Sequence, residues 1–526
     1  MSLSASPLSS ESASASAPDV NAPRVGAGAL SGFAALAAGV VATVITTPVV
    51  LHALGQARFG LWVALVAAVS FTGLLDFGFS QAVARFSGEH RARHDSKAVE
   101  AFIVATGAAY IIAFVLVLLA TAAIGTVFPL IVHVPSADRG TVLVGAMLVG
   151  LATALGLWMA FFGTILHAHQ KLPAANTIRA AYWVCFTVLT VIAALRGWGI
   201  VGLAGAMAAS AAGSCVALLL LVRRTLPELR IRRPQPTYLR QALRYSLFMF
   251  MVSAGAAVIF ETDTLVIAGF LGAAAVTSYA IALRLTRGLT AFLHKVPDVL
   301  FPFYAGMQAA GDRRRLRENY LLSARLELVG AAAVMLGLAF AWRPLIAAWV
   351  GPSSVVGSAV FALALTLLLF ESLVHPAAVL AAATGGERRM ATINIAEAVL
   401  NLGLSIAFVI RFGVVGVIGA TVLAQALTNL WFLPGWAMRS LQLSVRQYVA
   451  ATLARALAPA VAGGAAGLLV AQLVRSDMGQ VMAGIAAAGV FATVYTRFGA
   501  GVEERAWMHG LRTAILAVPR QLRRAA

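Results

Sequence analysis

Leu54-Gly55-x-x-x-Phe59-x-x-Trp62 recurs 217 positions later as Leu271-Gly272-x-x-x-Val276-x-x-Tyr279. Each copy lies between two long apolar stretches, so the recurrence indicates a duplicated unit rather than a local motif. Three further landmarks recur in the same order and at nearly the same distance: Asp95 with Asp312, Asn176-x-x-Arg179 with Asn394-x-x-Glu397, and Gly199-x-x-Gly202-x-x-Gly205 with Gly413-x-x-Gly416-x-x-Gly419. The chain therefore contains an internal repeat, which is typical of transporters.

The composition of the 526-residue chain is that of a membrane protein. Hydrophobic residues make up 60% of it and charged residues 11%, with a mean hydropathy of +0.88, whereas soluble domains carry roughly 25% charged residues. Stretches of roughly 20 or more apolar residues, long enough to span a bilayer, occur about fourteen times. They lie near 28–52, 59–83, 99–123, 140–167, 173–195, 199–222, 241–270, 273–301, 318–341, 354–384, 390–410, 413–437, 447–473 and 479–497.

The sequence predicts an all-α polytopic membrane protein with about 14 transmembrane helices. Two pseudo-symmetric six-helix bundles surround a central cavity, and two C-terminal helices lie outside the repeat. Because each repeat has an even number of helices, both enter the membrane from the same side. The predicted divisions are a disordered cytoplasmic tail (1–27), an N-terminal bundle (28–222), a basic cytoplasmic linker (223–240), a C-terminal bundle (241–437), two extra transmembrane helices (447–497) and a basic amphipathic cytoplasmic tail (498–526).

Lysine and arginine residues orient these spans. With the N-terminus inside, the tails and loops on the cytoplasmic side hold 27 of them and the outer loops hold six. This bias follows the positive-inside rule and predicts that both termini are cytoplasmic. Most of the net charge of +19 is then topogenic, and we expect no nucleic-acid partner.

Longer stretches around the repeated motifs carry a family resemblance. Leu54-Gly55-x-x-x-Phe59-Gly60-Leu61-Trp62 is followed by Leu75-Asp76-Phe77-Gly78-Phe79-Ser80-x-Ala82-x-x-Arg85, and the second half opens with Thr262-Asp263-Thr264-Leu265-Val266-Ile267-Ala268. Leu400-Asn401-Leu402 precedes Phe412-Gly413-x-x-Gly416. Together, between about residues 30 and 440, these motifs resemble the Wzx-type polysaccharide flippases of the multidrug/oligosaccharidyl-lipid/polysaccharide (MOP) superfamily.

The resemblance implies a transporter rather than an enzyme. Such proteins move undecaprenyl-diphosphate-linked oligosaccharides from the inner to the outer leaflet of the bacterial inner membrane by alternating access, for cell-surface or exopolysaccharide synthesis. The implied partners are this lipid-linked saccharide, membrane lipids, and a polysaccharide polymerase with its export machinery. Many members have twelve helices, whereas the lipid II flippases of the superfamily have fourteen, so the subfamily stays open.

A charged seam runs along the predicted span 273–301. Arg284, Arg287, Lys295 and Asp298 fall within about 80° of one another on a helical projection. Because ionisable groups inside a membrane are costly, such a seam faces a wet cavity or is paired. Arg284, Arg287 and Lys295 are therefore candidates for binding an anionic headgroup. The alternative is that these cations pair with Asp76, Glu261, Asp263 or Glu327 and lock the two bundles together.

Three other pairs of ionisable residues lie within predicted spans. Glu261 and Asp263 are candidates for binding a coupling proton or Na⁺, or for holding Arg284 through an ion pair. Glu371 and His375 stand four residues apart on one helical face, as a proton relay, a gate or a buried structural pair. Arg179 and Glu397 occupy equivalent positions in the two repeats, where an ion pair between the bundles would gate the cytoplasmic side.

The remaining features favour no catalytic role. The sequence contains no phosphate-binding glycine loop with lysine and no HExxH motif, and Cys185 and Cys215 lack metal-ligand spacing. We therefore expect no cofactor and no metal. A multidrug antiporter of the same superfamily is the main alternative function, and a glycan polymerase or ligase is a third. One set of aromatic residues either stacks on sugars or packs in the membrane: Trp158, Phe161, Phe162, Phe301, Phe303 and Tyr304.

Overall fold

A computed structural model describes residues 22–80, 82–83, 86, 96–169, 171–227, 234–501 and 504–505. Most of the two predicted tails, part of the linker, and Arg85, Arg91 and Arg93 lie outside these residues. The described residues form helices and short connections, with no β-strand among them. The α-helices are α1 (Ala22–Ser70), α2 (Ser96–Ile131), α3 (Arg139–Ala168), α4 (Leu172–Leu195), α5 (Gly199–Thr225), α6 (Pro236–Leu271), α7 (Ala273–Ala309), α8 (Arg313–Val350), α9 (Ser358–Ala383), α10 (Glu387–Leu427), α11 (Asn429–Ser440), α12 (Val445–Ala451), α13 (Leu453–Leu473) and α14 (Asp477–Val494).

Eleven helical segments of the described chain are long and apolar enough to cross a membrane. Two of them, Ser31–Asp76 and Glu387–Ser440, contain 46 and 54 residues, far more than the roughly 20 that one crossing needs. Helix α7 has 37 residues but is not among the eleven, because its charged seam lowers its hydropathy. The all-α membrane architecture is confirmed, whereas the number of fourteen crossings stays a prediction.

The duplicated motif adopts the same backbone conformation in both copies. Gly55 has φ 74° and ψ 167°, and Gly272 has φ 84° and ψ 165°. Only glycine visits this region without strain, which explains why both copies of the motif carry it. The first glycines of the later repeated motif also share a positive φ, which is 60° at Gly199 and 57° at Gly413. The pseudo-symmetry read from the sequence is therefore a property of the backbone. We call residues 28–222 the N-half and residues 241–437 the C-half, bounds that remain predictions.

The predicted span 59–83 is not one continuous α-helix. The α-helical part ends at Ser70, and a 3₁₀ helix continues from Phe71 to Asp76. Phe77 and Gly78 then have φ 47° and 76°, and consecutive left-handed residues end a right-handed helix. The Asp76 carboxylate accepts hydrogen bonds from Tyr110 and Ser80, so this acid is held inside the N-half by hydroxyl groups.

The two halves share an apolar core at one end of the helices. We call this the Gly55 end, because Gly55, Gly272 and Gly351 lie there. Phe59 of α1, Ile267 of α6 and Ile346 of α8 are completely buried in this shared core. At the opposite end the cores are separate, one within the N-half and one within the C-half. The start of α6, through Ala242, is the part of the C-half that joins the N-half core.

Polar links reinforce the contact at the Gly55 end. The indole N–H of Trp349 donates to the carbonyl oxygen of Val44 at 2.7 Å. The Gln56 amide donates to the carbonyl oxygen of Ser353 at 3.3 Å, and the Thr277 hydroxyl donates to the carbonyl oxygen of Gln56 at 2.7 Å. All three bonds join α1 to C-half residues. The structure is therefore closed at the Gly55 end.

Gly60 permits the closest backbone approach at this contact. A Cβ atom on Gly60 would lie 1.7 Å from the carbonyl oxygen of Ala273, at the start of α7. Because both backbones would have to move, we expect Gly60→Ala to destabilise the closed arrangement by about 1–3 kcal/mol. Thermal unfolding in detergent measures the change. Gly205→Ala is the control, since nothing lies within 4 Å of its added methyl group; equal melting temperatures for the two variants would contradict the close approach.

The two C-terminal helices α13 and α14 pack on α8 of the C-half. The backbone of Gly484 on α14 approaches that of Gly337 on α8, where a Cβ would lie 2.4 Å from the Gly337 carbonyl oxygen. Glu504, which is completely buried, forms an ion pair with Arg325 of α8 and accepts a hydrogen bond from Tyr495 at 2.9 Å. This ion pair fixes the segment that follows α14 to the C-half.

Candidate functional site

A cavity of about 1,120 Å³ lies between the two halves, and we call it the shared cavity. Helices α1, α3 and α4, with Ala211 of α5, supply its N-half wall, and α7 and α8 supply the opposite wall. None of the described residues that line it is Asp or Glu. Its basic lining residues come from both halves: His167, Arg179, Arg284, Arg287 and Lys295. The cavity is therefore suited to an anion.

Arg284 and Arg287 are held in place by neutral partners. The Arg284 guanidinium donates to the hydroxyl of Thr47 at 2.9 Å and lies 5.1 Å from the centre of the Phe59 ring. Arg287 donates to the carbonyl oxygen of Phe260 at 3.3 Å and lies 5.1 Å from the Phe260 ring. The hydrogen bonds and ring contacts of both guanidinium groups are thus with neutral groups, and guanidinium binds phosphate oxygens in bidentate fashion.

The alternative, in which acids pair with these arginines, is not what the described residues show. Neither Arg284 nor Arg287 forms an ion pair with a carboxylate there, and the predicted pairing of Arg284 with Glu261 or Asp263 is absent. Asp263 instead accepts hydrogen bonds from hydroxyl groups, and Glu327 lies beside His294. The reason is geometric: α7 directs Arg284 to the shared cavity, places Arg287 between the two cavities, and directs Asp298 into the C-half.

Lys295 differs from the two arginines. It lines the shared cavity, but its ammonium lies 3.1 Å from the carboxylate of Asp298, one turn along α7. Its side chain is 36% exposed, so solvent weakens this ion pair. Lys295 and Asp298 therefore lie between two cavities, because Asp298 lines a second cavity inside the C-half. Lys295 therefore supplies less unpaired charge to the shared cavity than Arg284 or Arg287.

Helix α4 brings two aromatic residues into the shared cavity that the sequence prediction missed. Tyr182 and Trp183 line the wall opposite α7, next to Arg179. The indole of Trp183 sits against Gly39 of α1, where a Cβ would lie 3.0 Å from the ring. A signal was available, because Asn176, Arg179 and Trp183 follow the i, i+3, i+7 spacing of one helical face.

The aromatic residues singled out from the sequence lie elsewhere. Trp158, Phe161 and Phe162 form a cluster in which Phe161 also contacts Tyr110, with ring centres 4.8 to 5.6 Å apart. This cluster belongs to the N-half core. Tyr304 is buried and bonds to Ser323 at 2.8 Å, and Phe303 is exposed. Of this set, Phe301 lines a cavity, the one inside the C-half.

A second cavity, of about 670 Å³, lies within the C-half, and we call it the C-half cavity. It brings together the predicted residues Glu371, His375 and Glu397, along with His294 and Asp298. Glu371 and His375 share one face of α9, as predicted, but His375 bonds to Asp298 at 3.1 Å rather than to Glu371. Arg287 lines both cavities.

Arg179 and Glu397 are not paired in this structure. Arg179 lines the shared cavity, whereas buried Glu397 lines the C-half cavity and accepts a hydrogen bond from Thr428 at 2.7 Å. Equivalent positions in a repeat are related by rotation, and rotation by itself does not place them in contact. A role for this pair in gating stays a prediction that belongs to another conformation.

Asp263 is the most enclosed acid among the predicted site residues. It is 1% exposed and accepts hydrogen bonds from Tyr279 at 3.1 Å, Ser405 at 3.0 Å and Thr421 at 2.5 Å. These donors tie α6 to α7 and α10. Glu261, two residues earlier, is half-buried and lies within electrostatic range of Arg287. Ion coupling by Asp263 or Glu261 stays a prediction.

Comparison with known proteins identifies the family of this chain and its fold. A family model described as "Polysaccharide biosynthesis protein" matches residues 27–308. None of the curated protein sequences compared with the chain matches it. The solved structure of the lipid II flippase MurJ in an inward closed conformation is similar at a TM-score of 0.65 and 15% identity, over 89% of this chain and 98% of MurJ.

Two transporter structures extend the likeness in fold. An inward-facing MATE family multidrug transporter of the MOP superfamily gives a TM-score of 0.60 at 15% identity, over 78% of this chain and 99% of that one. A MOP superfamily transporter from Pyrococcus furiosus, whose binding pocket is described as having reverse polarity, gives 0.53 at 16% identity, over 80% and 95%. The family match covers more than half of the chain. The protein therefore belongs to the polysaccharide biosynthesis protein family and has the fold of the MOP superfamily of membrane transporters.

Proposed function

We propose that this protein translocates undecaprenyl-diphosphate-linked oligosaccharides across the bacterial inner membrane by alternating access. The observation that carries the proposal is the shared cavity, which has basic residues on both walls and no acid among its described lining residues. A lipid diphosphate is an anion on a membrane-soluble tail, so its headgroup fits a basic cavity that lies between two membrane bundles. We assign this headgroup to Arg284 and Arg287, with Lys295 at the edge.

The membrane potential supplies a driving force for such an anion. An inside-negative potential favours outward movement by about 2.3 kcal/mol per charge per 100 mV. A diphosphate headgroup is therefore expelled without nucleotide hydrolysis. This agrees with a chain whose sequence carries no phosphate-binding glycine loop.

Charge distribution also sets the orientation that we propose. With both termini in the cytoplasm, Gly55 and Gly272 face the outside, and the basic N-terminal part of α8, including Arg313, Arg314 and Arg315, faces the inside. Closure at the Gly55 end is then closure toward the outside. The shared cavity would load from the cytoplasmic leaflet, where the lipid-linked saccharide is made.

Trp183 is expected to stack on the sugar nearest the diphosphate. It lines the wall opposite α7 in the shared cavity, and its ring packs against Gly39. Aromatic contacts contribute about 0.5–1.5 kcal/mol each, so Trp183→Ala should weaken apparent substrate affinity by roughly two- to tenfold, and Trp183→Phe by less. Transport measured against substrate concentration provides the readout. Trp198→Ala, at an exposed helix end, is the control; an equal loss in that variant would argue against stacking.

A multidrug antiporter is the second candidate, because the C-half cavity carries three acids. The carboxyl groups of Asp298, Glu371 and Glu397 line this cavity and would attract an organic cation when ionised. The basic shared cavity repels such a cation, and for this reason we favour the saccharide.

A deletion strain separates the two functions. Undecaprenyl-diphosphate-linked saccharides are extracted from it and tested for access from the periplasmic side. Accumulation of an inaccessible lipid-linked repeat unit, reversed by the wild-type gene, supports the proposal. No accumulation, together with new sensitivity to cationic drugs, supports the antiporter.

A further inference from the structure

Two stacked histidine rings line the C-half cavity. His294 of α7 and His375 of α9 have ring centres 3.8 Å apart and planes that differ by 9°. Both line the C-half cavity. Two imidazolium groups at this distance would repel each other in a medium of low dielectric constant. The pair is therefore suited to holding one proton, not two.

A carboxylate stands at each end of this stack. His375 Nε2 lies 3.1 Å from Asp298 Oδ1, and His294 Nε2 lies 3.4 Å from Glu327 Oε1. Asp298 also bonds to Lys295 at 3.1 Å. The result is a continuous row, Glu327, His294, His375, Asp298 and Lys295, that crosses from α8 through α7 and α9.

Glu327 is the member of this row that most needs a proton. Its side chain is completely buried, and neither of its carboxylate oxygens has a hydrogen-bond partner. His294 Nε2 is likewise buried without a hydrogen bond. A buried carboxylate without hydrogen bonds is costly when charged, so one proton shared by Glu327 and the histidine pair relieves the cost for both.

Arg287 is connected electrostatically to this row through Glu371. Glu327 lies within electrostatic range of Asp298 and Glu371, and Glu371 lies within range of Arg287 and Glu397. Arg287 also lines the shared cavity. Other titratable groups on the packed helices include Tyr304 of α7, Tyr320 of α8 and Tyr448 of α12, with Tyr279, Glu261 and Asp263 nearer the Gly55 end. Arg325 of α8, two residues before Glu327, is paired with Glu504.

We propose that His294, His375, Asp298 and Glu327 form a proton-binding site whose occupancy is linked to headgroup binding through Arg287. Without the proton, the acids of the C-half cavity attract Arg287. With the proton bound, that attraction weakens and Arg287 can bind the anion in the shared cavity. Proton and headgroup therefore favour each other's binding, and linkage makes the effect reciprocal. The balance is simple: one proton leaves the solvent and adds to this cluster when the headgroup binds. The linkage, but not the proton site, rests on the proposed function.

The proton site is tested first in the ligand-free, full-length protein. Infrared difference spectra between acidic and alkaline buffer should contain a carboxylic-acid band in the wild type. This band should disappear in Glu327→Gln and shift when His294 and His375 are both replaced by Gln. Glu318→Gln, an exposed residue of the same helix that pairs with Arg314, should leave it unchanged. A band that survives Glu327→Gln in a protein with unchanged melting temperature overturns the site.

Calorimetry with farnesyl diphosphate as the probe tests the linkage. Titrations in buffers of different ionisation enthalpy should show uptake of one proton per bound diphosphate in the wild type and none in Glu327→Gln. Equal uptake in both overturns the linkage. If the diphosphate does not bind to the wild type, the proposed function fails and the linkage fails with it, while the infrared result still decides whether the proton site exists.

Discussion

Replacing Arg284 and Arg287 together by alanine is expected to lower transport about a hundredfold or more. Each charge-assisted hydrogen bond contributes about 1.5–3 kcal/mol, and 1.4 kcal/mol is tenfold, so two lost contacts bring the effect to this range. Neither arginine forms an ion pair with a carboxylate among the described residues, although Glu261 and Glu371 lie within electrostatic range of Arg287. Glycan export in a complemented deletion strain, normalised to the amount of protein in the membrane, measures it.

A matched double variant controls for the loss of two charges. Arg313 and Arg315 lie at the exposed start of α8, and replacing both by alanine should leave export near the wild-type level. Arg284→Lys with Arg287→Lys should retain part of the activity, because lysine keeps the charge but loses the bidentate geometry. Wild-type export by the Arg284→Ala, Arg287→Ala variant would remove the headgroup assignment.

Crosslinking the halves at the Gly55 end is expected to stop transport completely. The side chain of Gln56 reaches the backbone of Ser353 across the two halves, and both residues are exposed. Cysteines at these two positions, with Cys185 and Cys215 replaced by serine, can be joined by a short bis-methanethiosulfonate reagent. Alternating access requires this end to open, so the link holds the protein closed at the Gly55 end. Lipid-linked saccharide should then accumulate.

Reduction of the link provides the internal control. Transport should return when a reductant cleaves it, and neither single-cysteine variant should respond to the reagent. An impermeant reagent should also reach Gln56→Cys from the periplasm but not Arg315→Cys, which tests the proposed orientation. Undiminished transport by the crosslinked protein would contradict closure at the Gly55 end as a step of the cycle.

Much of the architecture could be predicted because membrane proteins obey strong local constraints. Apolar length fixes where a chain crosses, and a backbone that needs a positive φ needs glycine, so Gly55 and Gly272 marked the repeat. The seam of Arg284, Arg287 and Lys295 stood out because charges in membrane spans are rare. The structure places all three in one cavity, although the headgroup role itself awaits the variants above.

Other features depend on packing that the sequence does not encode locally. Asp298 shares the seam with the arginines, yet it lines the C-half cavity rather than the shared one, because α7 borders both. The break at Phe77 arises from a left-handed phenylalanine, which no composition rule signals. Trp183 could have been found from its spacing to Arg179, whereas the stacking of His294 on His375 requires knowing that α7 and α9 are neighbours. Arg179 and Glu397 matched in the repeat but lie in separate cavities.

Flipping by the purified protein is the most direct test of the central claim. The protein is reconstituted into liposomes that contain an undecaprenyl-diphosphate-linked oligosaccharide, with an inside-negative potential set by a potassium gradient. An impermeant enzyme outside then modifies whatever saccharide it can reach. The account predicts that wild-type protein raises the accessible fraction from the outer-leaflet share to nearly all of the saccharide, and that the Arg284→Ala, Arg287→Ala variant does not. An accessible fraction that stays at the outer-leaflet share with correctly folded wild-type protein would contradict the account.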